Sequence, residues 1–316
     1  MTRRTFSFLA ASAWSPAAAP LRIKVAAAPY LSLSPFHLAI ERGYFREQGI
    51  ELDLATLTRS ADVIPVLAKG DIDVALYSIS PPLLNAIGKG ARIRIVAARD
   101  QALPDCSYSA SLYARRPITT VAGLKGKRVA NGQPAGIVEF ALDRALAKAG
   151  LSPSDIETVP MRPAEAAAAL LRGEIHALTA SDLVGMAALE KPEVGLLTTL
   201  GRTLPGFQFA FISFGRRLLD GPVDEGARFL RAFFRGAREY AAGATPAFVD
   251  DFAAKSGIDA RIFRALCRQH VVTDGHVDVA SLEKLATWAR GKGYSERDVN
   301  VAGAVDLRFL EAANKK

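Results

Sequence analysis

The chain is poor in the residues that carry chemistry. Its 316 residues include two cysteines, four histidines, three methionines and two tryptophans. Cys106 and Cys267 stand 161 positions apart with no Cys-x-x-Cys. That spacing excludes a disulfide-framework domain and the usual zinc patterns. The two thiols are compatible with one disulfide in an exported protein and equally with two buried free thiols. His176, His270 and His276 form no His-x-x-His set, so no metal site is expected. There is no Gly-x-Ser-x-Gly elbow, no Gly-x-x-x-x-Gly-Lys-Ser/Thr loop and no Gly-x-Gly-x-x-Gly after a strand. The expectation is a chain that is not an enzyme and uses no cofactor. No stretch approaches the roughly 18 apolar residues of a membrane span.

Charge is ordinary too. The net charge of +8 is scattered, not gathered into runs, so no nucleic-acid partner is expected. Half the residues are hydrophobic, enough for a large core and too many for a disordered chain. The length favours two domains.

Residues 1–19 read as an export signal. Arg3-Arg4 gives the cationic start, Thr5 to Trp14 a modest apolar stretch, and Ser15-Pro16-Ala17-Ala18-Ala19 the small residues. The order Arg3-Arg4-Thr5-Phe6 also fits a twin-arginine signal.

What the sequence does have is a repeat. Arg59 to Asp73 recurs 103 positions later as Arg162 to His176. Arg, Ala, Leu, Gly and Ile are identical, and Asp62/Glu165, Lys69/Arg172 and Asp71/Glu174 keep their charge. Each copy reads as a helix ended by glycine and followed by a strand. Around them, strands and helices alternate. Strands are expected at 22–28, 51–57, 72–77, 93–98, 109–114, 127–130, 156–159, 175–179, 195–200 and 207–214. Helices are expected at 35–42, 60–69, from 81, 137–148 and 163–172. This alternation predicts βαβ units and a parallel sheet in each of two lobes. From Pro222 onward the pattern is helical: 224–241, 246–255, 260–269, 279–290 and a tail from Asp306.

Four stretches resemble a known family. They are Ser34 to Phe45 with its Gly-Tyr-Phe ending, Glu47 to Leu52, Leu67-Ala68-Lys69-Gly70-Asp71-Ile72-Asp73-Val74-Ala75, and Gly123 to Ala130. In order and spacing they are similar to the periplasmic solute-binding proteins of ABC importers, in the nitrate, sulfonate, taurine and thiamine-pyrimidine-precursor (SsuA/THI5-like, NMT1) group. The resemblance implies an α/β, two-lobed periplasmic-binding-protein-like (type II) fold, with hinged lobes and a cleft between them. Residues 20–113 plus 211–316 would form lobe I with the C-terminal helices, and 114–210 lobe II. It also implies an exported, periplasmic, monomeric protein. That protein would capture a small-molecule ligand in the inter-lobe cleft by hinge closure and deliver it to an ABC transporter permease.

Ligands of open α/β sheets sit beyond the carboxyl ends of the strands, where helix N-termini favour anions. The loops there supply the expected ligand contacts: Tyr30, Ser34, Arg59, Ser60, Tyr77, Ser78, Ser80, Gln133, Arg162 and Asp182. Arg59 and Arg162 hold the same repeat position and would reach an anion across the cleft, or else pair locally with Asp62 and Glu165. The serines are equally suited to capping helices. Tyr30 and Tyr77 suit stacking on a planar ligand. His37 reads as a structural histidine.

The expected ligand is a small organic anion: sulfonate, taurine, nitrate-like or carboxylate. The alternative is a pyrimidine-precursor binding protein or the THI5-like pyrimidine-precursor synthase. That enzyme uses a cysteine-rich segment, from which Cys106 and Cys267 depart. A third reading, the ligand-sensing domain of a transcription regulator, would need a DNA-binding helix-turn-helix at one end; the segment before Leu21 reads as too short for one, and the C-terminal helices show no basic recognition stripe.

Overall fold

The computed structural model describes residues 19–28, 30–57, 60–104, 110–131, 134–180, 191–256, 259–264, 268, 270–295 and 299–315. The export segment up to residue 18 lies outside them, as do Cys106, Cys267, Arg59, Gln133 and Asp182.

The strands are β1 Leu21–Ala26, β2 Ile50–Ala55, β3 Val74–Ser78, β4 Arg94–Ala102, β5 Ser111–Arg115, β6 Arg128–Asn131, β7 Glu157–Pro160, β8 Ala177–Ala180, β9 Val194–Thr199 and β10 Phe207–Phe214. The first helices are α1 Ser34–Glu41, α2 Tyr44–Glu47, α3 Ser60–Lys69, α4 Pro81–Gly88, α5 Ile137–Lys148 and α6 Pro163–Arg172. Then come α7 Leu200–Thr203, α8 Arg216–Asp220, α9 Val223–Ala241, α10 Phe248–Ser256, α11 Ala260–Arg264, α12 Val279–Gly291 and α13 Arg308–Asn314.

Two five-stranded sheets share one plan, β2-β1-β3-β10-β4 and β7-β6-β8-β5-β9. The repeat explains the correspondence. α3 ends on Gly70 at φ +87°, and α6 on Gly173 at φ +77°, a left-handed turn that glycine adopts without Cβ strain. Each is followed by a buried isoleucine, Ile72 or Ile175, leading into the third strand of its sheet. β1, β2 and β3 are parallel, and so are β6, β7 and β8.

The sheets are not wholly parallel, which corrects the expectation from strand–helix alternation. β10 runs antiparallel to β3 and β4, and β5 antiparallel to β8 and β9. The reason is an exchange. The strand that has just crossed from the other lobe enters each sheet from the opposite direction. The crossings lie between Ala102 and Ser111 and between Thr199 and Phe207. The boundaries expected at 113/114 and 210/211 therefore fall inside β5 and β10.

The two crossings run side by side. Leu200 N donates to Ala110 O at 2.8 Å, and Gly206 N to Ala102 O at 2.7 Å. They leave sheet one where β4 ends and β10 begins, and reach sheet two where β5 begins and β9 ends. Those are also the carboxyl ends of the parallel strands, so the two sheets present these ends to one another.

The first core is aromatic. Phe36 of α1, Phe45 of α2 and Phe229 and Phe233 of α9 pack with centroids 5.1 to 6.5 Å apart. Burying each ring contributes about 1.5–3 kcal/mol. His37 lies flat on Phe248 at 3.7 Å, and burial lowers its pKa to about 4, so the imidazole is neutral at pH 7. A further cluster joins the lobes: Ile137, Val138, Phe140 and Ala141 of α5 pack with Phe207, Leu282, Leu285 and Trp288.

Candidate functional site

On the first-lobe side, β3 ends in Tyr77 and Ser78, and Ser80 follows at the N-cap of α4. Ser80 is in the right place to cap but forms no cap bond. Pro81 and Pro82 remove the first two N–H donors, and the next two, on Leu83 and Leu84, go to the Ser80 carbonyl at 3.1 and 3.2 Å. The Ser80 hydroxyl is left buried with no hydrogen-bond partner. Ser78 is half-buried and pairs with Ala210.

Tyr77 donates its hydroxyl to Leu57 O at 2.5 Å. Burial pushes its pKa well up, and the Tyr30 phenol adds to this while Arg99 opposes it. Ser34 serves the local turn instead. It is buried, and its hydroxyl donates to Leu31 O at 2.7 Å. Ser60 opens α3.

Two neighbouring charges that sequence reasoning passed over complete this side. Arg99 and Asp100 sit near the end of β4, at 3% and 1% exposure. Asp100 lies level with Ser78 through Ala210. Arg99 donates to Ser32 O at 2.9 Å and pairs with Asp100, and His270 lies 3.8 Å from the other carboxylate oxygen. Burial raises the Asp100 pKa, and Arg99 and His270 pull it back. Arg99 Nε and Asp100 Oδ1 have no hydrogen-bond partner. The signal was an Arg-Asp pair closing an otherwise apolar run.

On the second-lobe side, Asn131 ends β6, Thr179 lies near the end of β8, and Ser111 begins β5. All three are buried, and the Thr179 and Ser111 hydroxyls have no partner. Ala135 precedes α5 in the left-handed region at φ 53°, uncommon for a residue with a Cβ. Arg162 takes the N-cap position of α6, with its side chain 85% exposed and Nε 3.3 Å from Glu165 Oε1. It makes the local ion pair; its repeat partner Arg59 lies outside the described residues.

Among the described residues, one buried side-chain atom on each of Ser80, Arg99, Asp100, Ser111 and Thr179 has no hydrogen-bond partner. Native interiors pair almost all such groups. Their concentration at the facing strand ends marks where a polar ligand would meet the chain. Donors predominate, from hydroxyls, a guanidinium and the N-termini of α5 and α6, which suits a compact anion.

Residues 31–242 match the family model described as NMT1/THI5 like. The chain is 27% identical over 184 residues to a candidate binding protein of Brucella abortus, covering 56% of this chain and 54% of that one. It is 30% identical over 155 residues to the 4-amino-5-hydroxymethyl-2-methylpyrimidine phosphate synthase of Schizosaccharomyces pombe, 45% of this chain and 40% of the other. The chain spans about half the length, or less, of these curated relatives. Its fold is similar to that of the periplasmic aliphatic sulphonate binding protein SsuA from Escherichia coli, with a TM-score of 0.73, 21% identity and 92% of each chain covered. The two-lobed α/β fold is thus that of periplasmic solute-binding proteins. Among the described residues no helix is long and apolar enough to cross a membrane.

Proposed function

The chain belongs to the NMT1/THI5-like family, and from that premise we propose that it is an exported solute-binding protein of an ABC importer. It takes a small organic anion between the lobes and hands it to a membrane permease. The observation that carries this is the set of buried polar atoms without a hydrogen-bond partner at the facing strand ends, Ser80 Oγ and Arg99 Nε on one side and Ser111 Oγ and Thr179 Oγ1 on the other. A ligand touching both sets binds the closed arrangement better than the open one. That differential affinity is what drives hinge closure. The Arg99 charge is paired with Asp100, so Arg99 offers its Nε as a donor, and the N-termini of α5 and α6 add partial positive charge. Of the sequence-derived contacts, Tyr30, Tyr77, Ser78 and Ser80 remain in the proposed ligand shell, joined by Arg59, Gln133 and Asp182. Ser34 stands behind them, held to Leu31 O, and Arg162 would join only by leaving Glu165.

The second reading is a pyrimidine-precursor ligand, or synthesis of such a precursor. It is favoured by the similarity to the S. pombe synthase and by the Tyr30–Tyr77 pair, which suits a planar ring. Thermal melts of residues 20–316 against alkanesulfonates, taurine, nitrate, short carboxylates and pyrimidines separate the two. Saturation at about 100 Kd stabilises the folded state by about 2.7 kcal/mol, a rise in Tm of about 5 °C. One anion class giving that shift supports the first reading. A pyrimidine alone giving it supports the second, and a flat response to every compound sinks both.

A further inference from the structure

The second lobe is tied to the C-terminal segment by a buried polar network. Glu139 and Asp143 lie one turn apart on α5 at 6% and 7% exposure. Lys292, just past α12, reaches both, with Nζ 2.9 Å from Glu139 Oε1 and 3.1 Å from Asp143 Oδ2. Trp288 Nε1 donates to Asp143 at 2.8 Å, and the Tyr294 hydroxyl meets both Glu139 oxygens at 2.9 and 3.0 Å. The Tyr294 carbonyl in turn accepts from Asn85 of α4, the helix that follows Ser80.

One bond of Glu139 points the other way. Its Oε2 accepts the Ala135 N–H at 2.7 Å. Ala135 is the one non-glycine residue with positive φ among the described residues. Such a conformation costs about 1–3 kcal/mol and persists only where surrounding bonds over-determine it. Here the bond comes from a carboxylate that is itself held by two groups outside the turn. A buried carboxylate with three donors is fixed far more tightly than a solvated one.

We propose that Glu139 is a positioning residue. It fixes the 134–136 turn at the cleft, and Lys292 and Tyr294 fix Glu139, so the C-terminal segment of lobe I sets the geometry of a ligand loop in lobe II. The inference deepens the binding-protein reading and rests on it for the word ligand, but the coupling itself is readable with no ligand present.

The test is amide hydrogen exchange of the ligand-free chain. Tyr294→Phe removes the hydroxyl from Glu139 and leaves the ring on Trp288. It should speed exchange at Ala135 tenfold or more while the α6 amides of Ala166 and Ala169 stay at wild-type rates. Lys292→Met should act in the same direction. Glu139→Gln, which keeps an acceptor oxygen for the Ala135 N–H, should retain more protection than Glu139→Ala. Ala135 exchange at the wild-type rate in folded Tyr294→Phe and Lys292→Met would overturn the proposal. So would a uniform acceleration of all amides, which is what a merely structural role gives. Either failure leaves the ligand reading to be judged by the melts alone.

Discussion

Gly201→Ala should destroy the native melt or lower its midpoint by about 5 °C or more, from a cost of about 3 kcal/mol or more. Gly201 lies in α7 on the second crossing, where an added Cβ would stand 1.9 Å from Leu103 O and 2.3 Å from Leu103 C on the first. Both atoms are backbone, so no side chain can turn aside. The two crossings must separate, and the bonds between them, Leu200 N to Ala110 O and Gly206 N to Ala102 O, run through the same place. Overpacking against side chains is often absorbed by rotamer changes; overpacking between two backbones at a hinge is not. Gly195→Ala is the control, since nothing lies within 4 Å of its added carbon. Its melt should stay within about 1 °C of wild type, as for surface changes of about 0.5 kcal/mol. Circular dichroism melts of the two variants check the prediction. A native Gly201→Ala melt would mean that the crossings do not pass in contact.

Arg99→Met is the second large effect, with an expected cost of about 3–5 kcal/mol. The guanidinium is what lets Asp100 sit at 1% exposure. Without it the carboxylate is buried beside His270 alone, and Ser32 O loses its donor. Arg99→Met with Asp100→Asn should recover much of the loss, because the second change removes the stranded charge. Burial already holds the folded-state pKa of Asp100 above its unfolded value. A raised carboxylate pKa favours the folded state at low pH, and that contribution disappears as pH rises from the unfolded value through the folded one. Losing Arg99 raises the folded value further. The stability of Arg99→Met relative to wild type should therefore improve on acidification from pH 7 towards pH 5. Denaturant titrations at the two pH values read this directly. Equal loss at both, with no rescue by the double change, would remove the buried pair from the account.

Much of the fold was legible because it is local. The limits of α5, α6 and β10 were readable from apolar stripes, a leading proline and terminal glycines. The repeat predicted like elements in like places, and α3–β3 and α6–β8 occupy them. The antiparallel strands were not legible, because an exchange between lobes leaves no mark on the sequence of β5 or β10. Of the proposed site, half was legible. Strand-end loops named Tyr77, Ser78 and Ser80. Yet Ser80 matters through the bond its two prolines deny it, not through the cap its type suggested. Arg99 and Asp100 were hidden inside a strand, and only packing made them neighbours of Ser32 and His270. The repeat drew attention to Arg162, which the structure places in an exposed pair with Glu165.

The central claim is that one anion is held between the two sets of strand ends. Calorimetric titration of the anion that raises the melt most, against wild type, Ser80→Ala and Thr179→Val, tests it most directly. The two substitutions remove one partnerless hydroxyl from each lobe. The account predicts a one-to-one complex and an affinity weakened about tenfold to a hundredfold by each change, the loss of one charge-assisted hydrogen bond of about 1.5–3 kcal/mol. Wild-type affinity in both folded variants would contradict it.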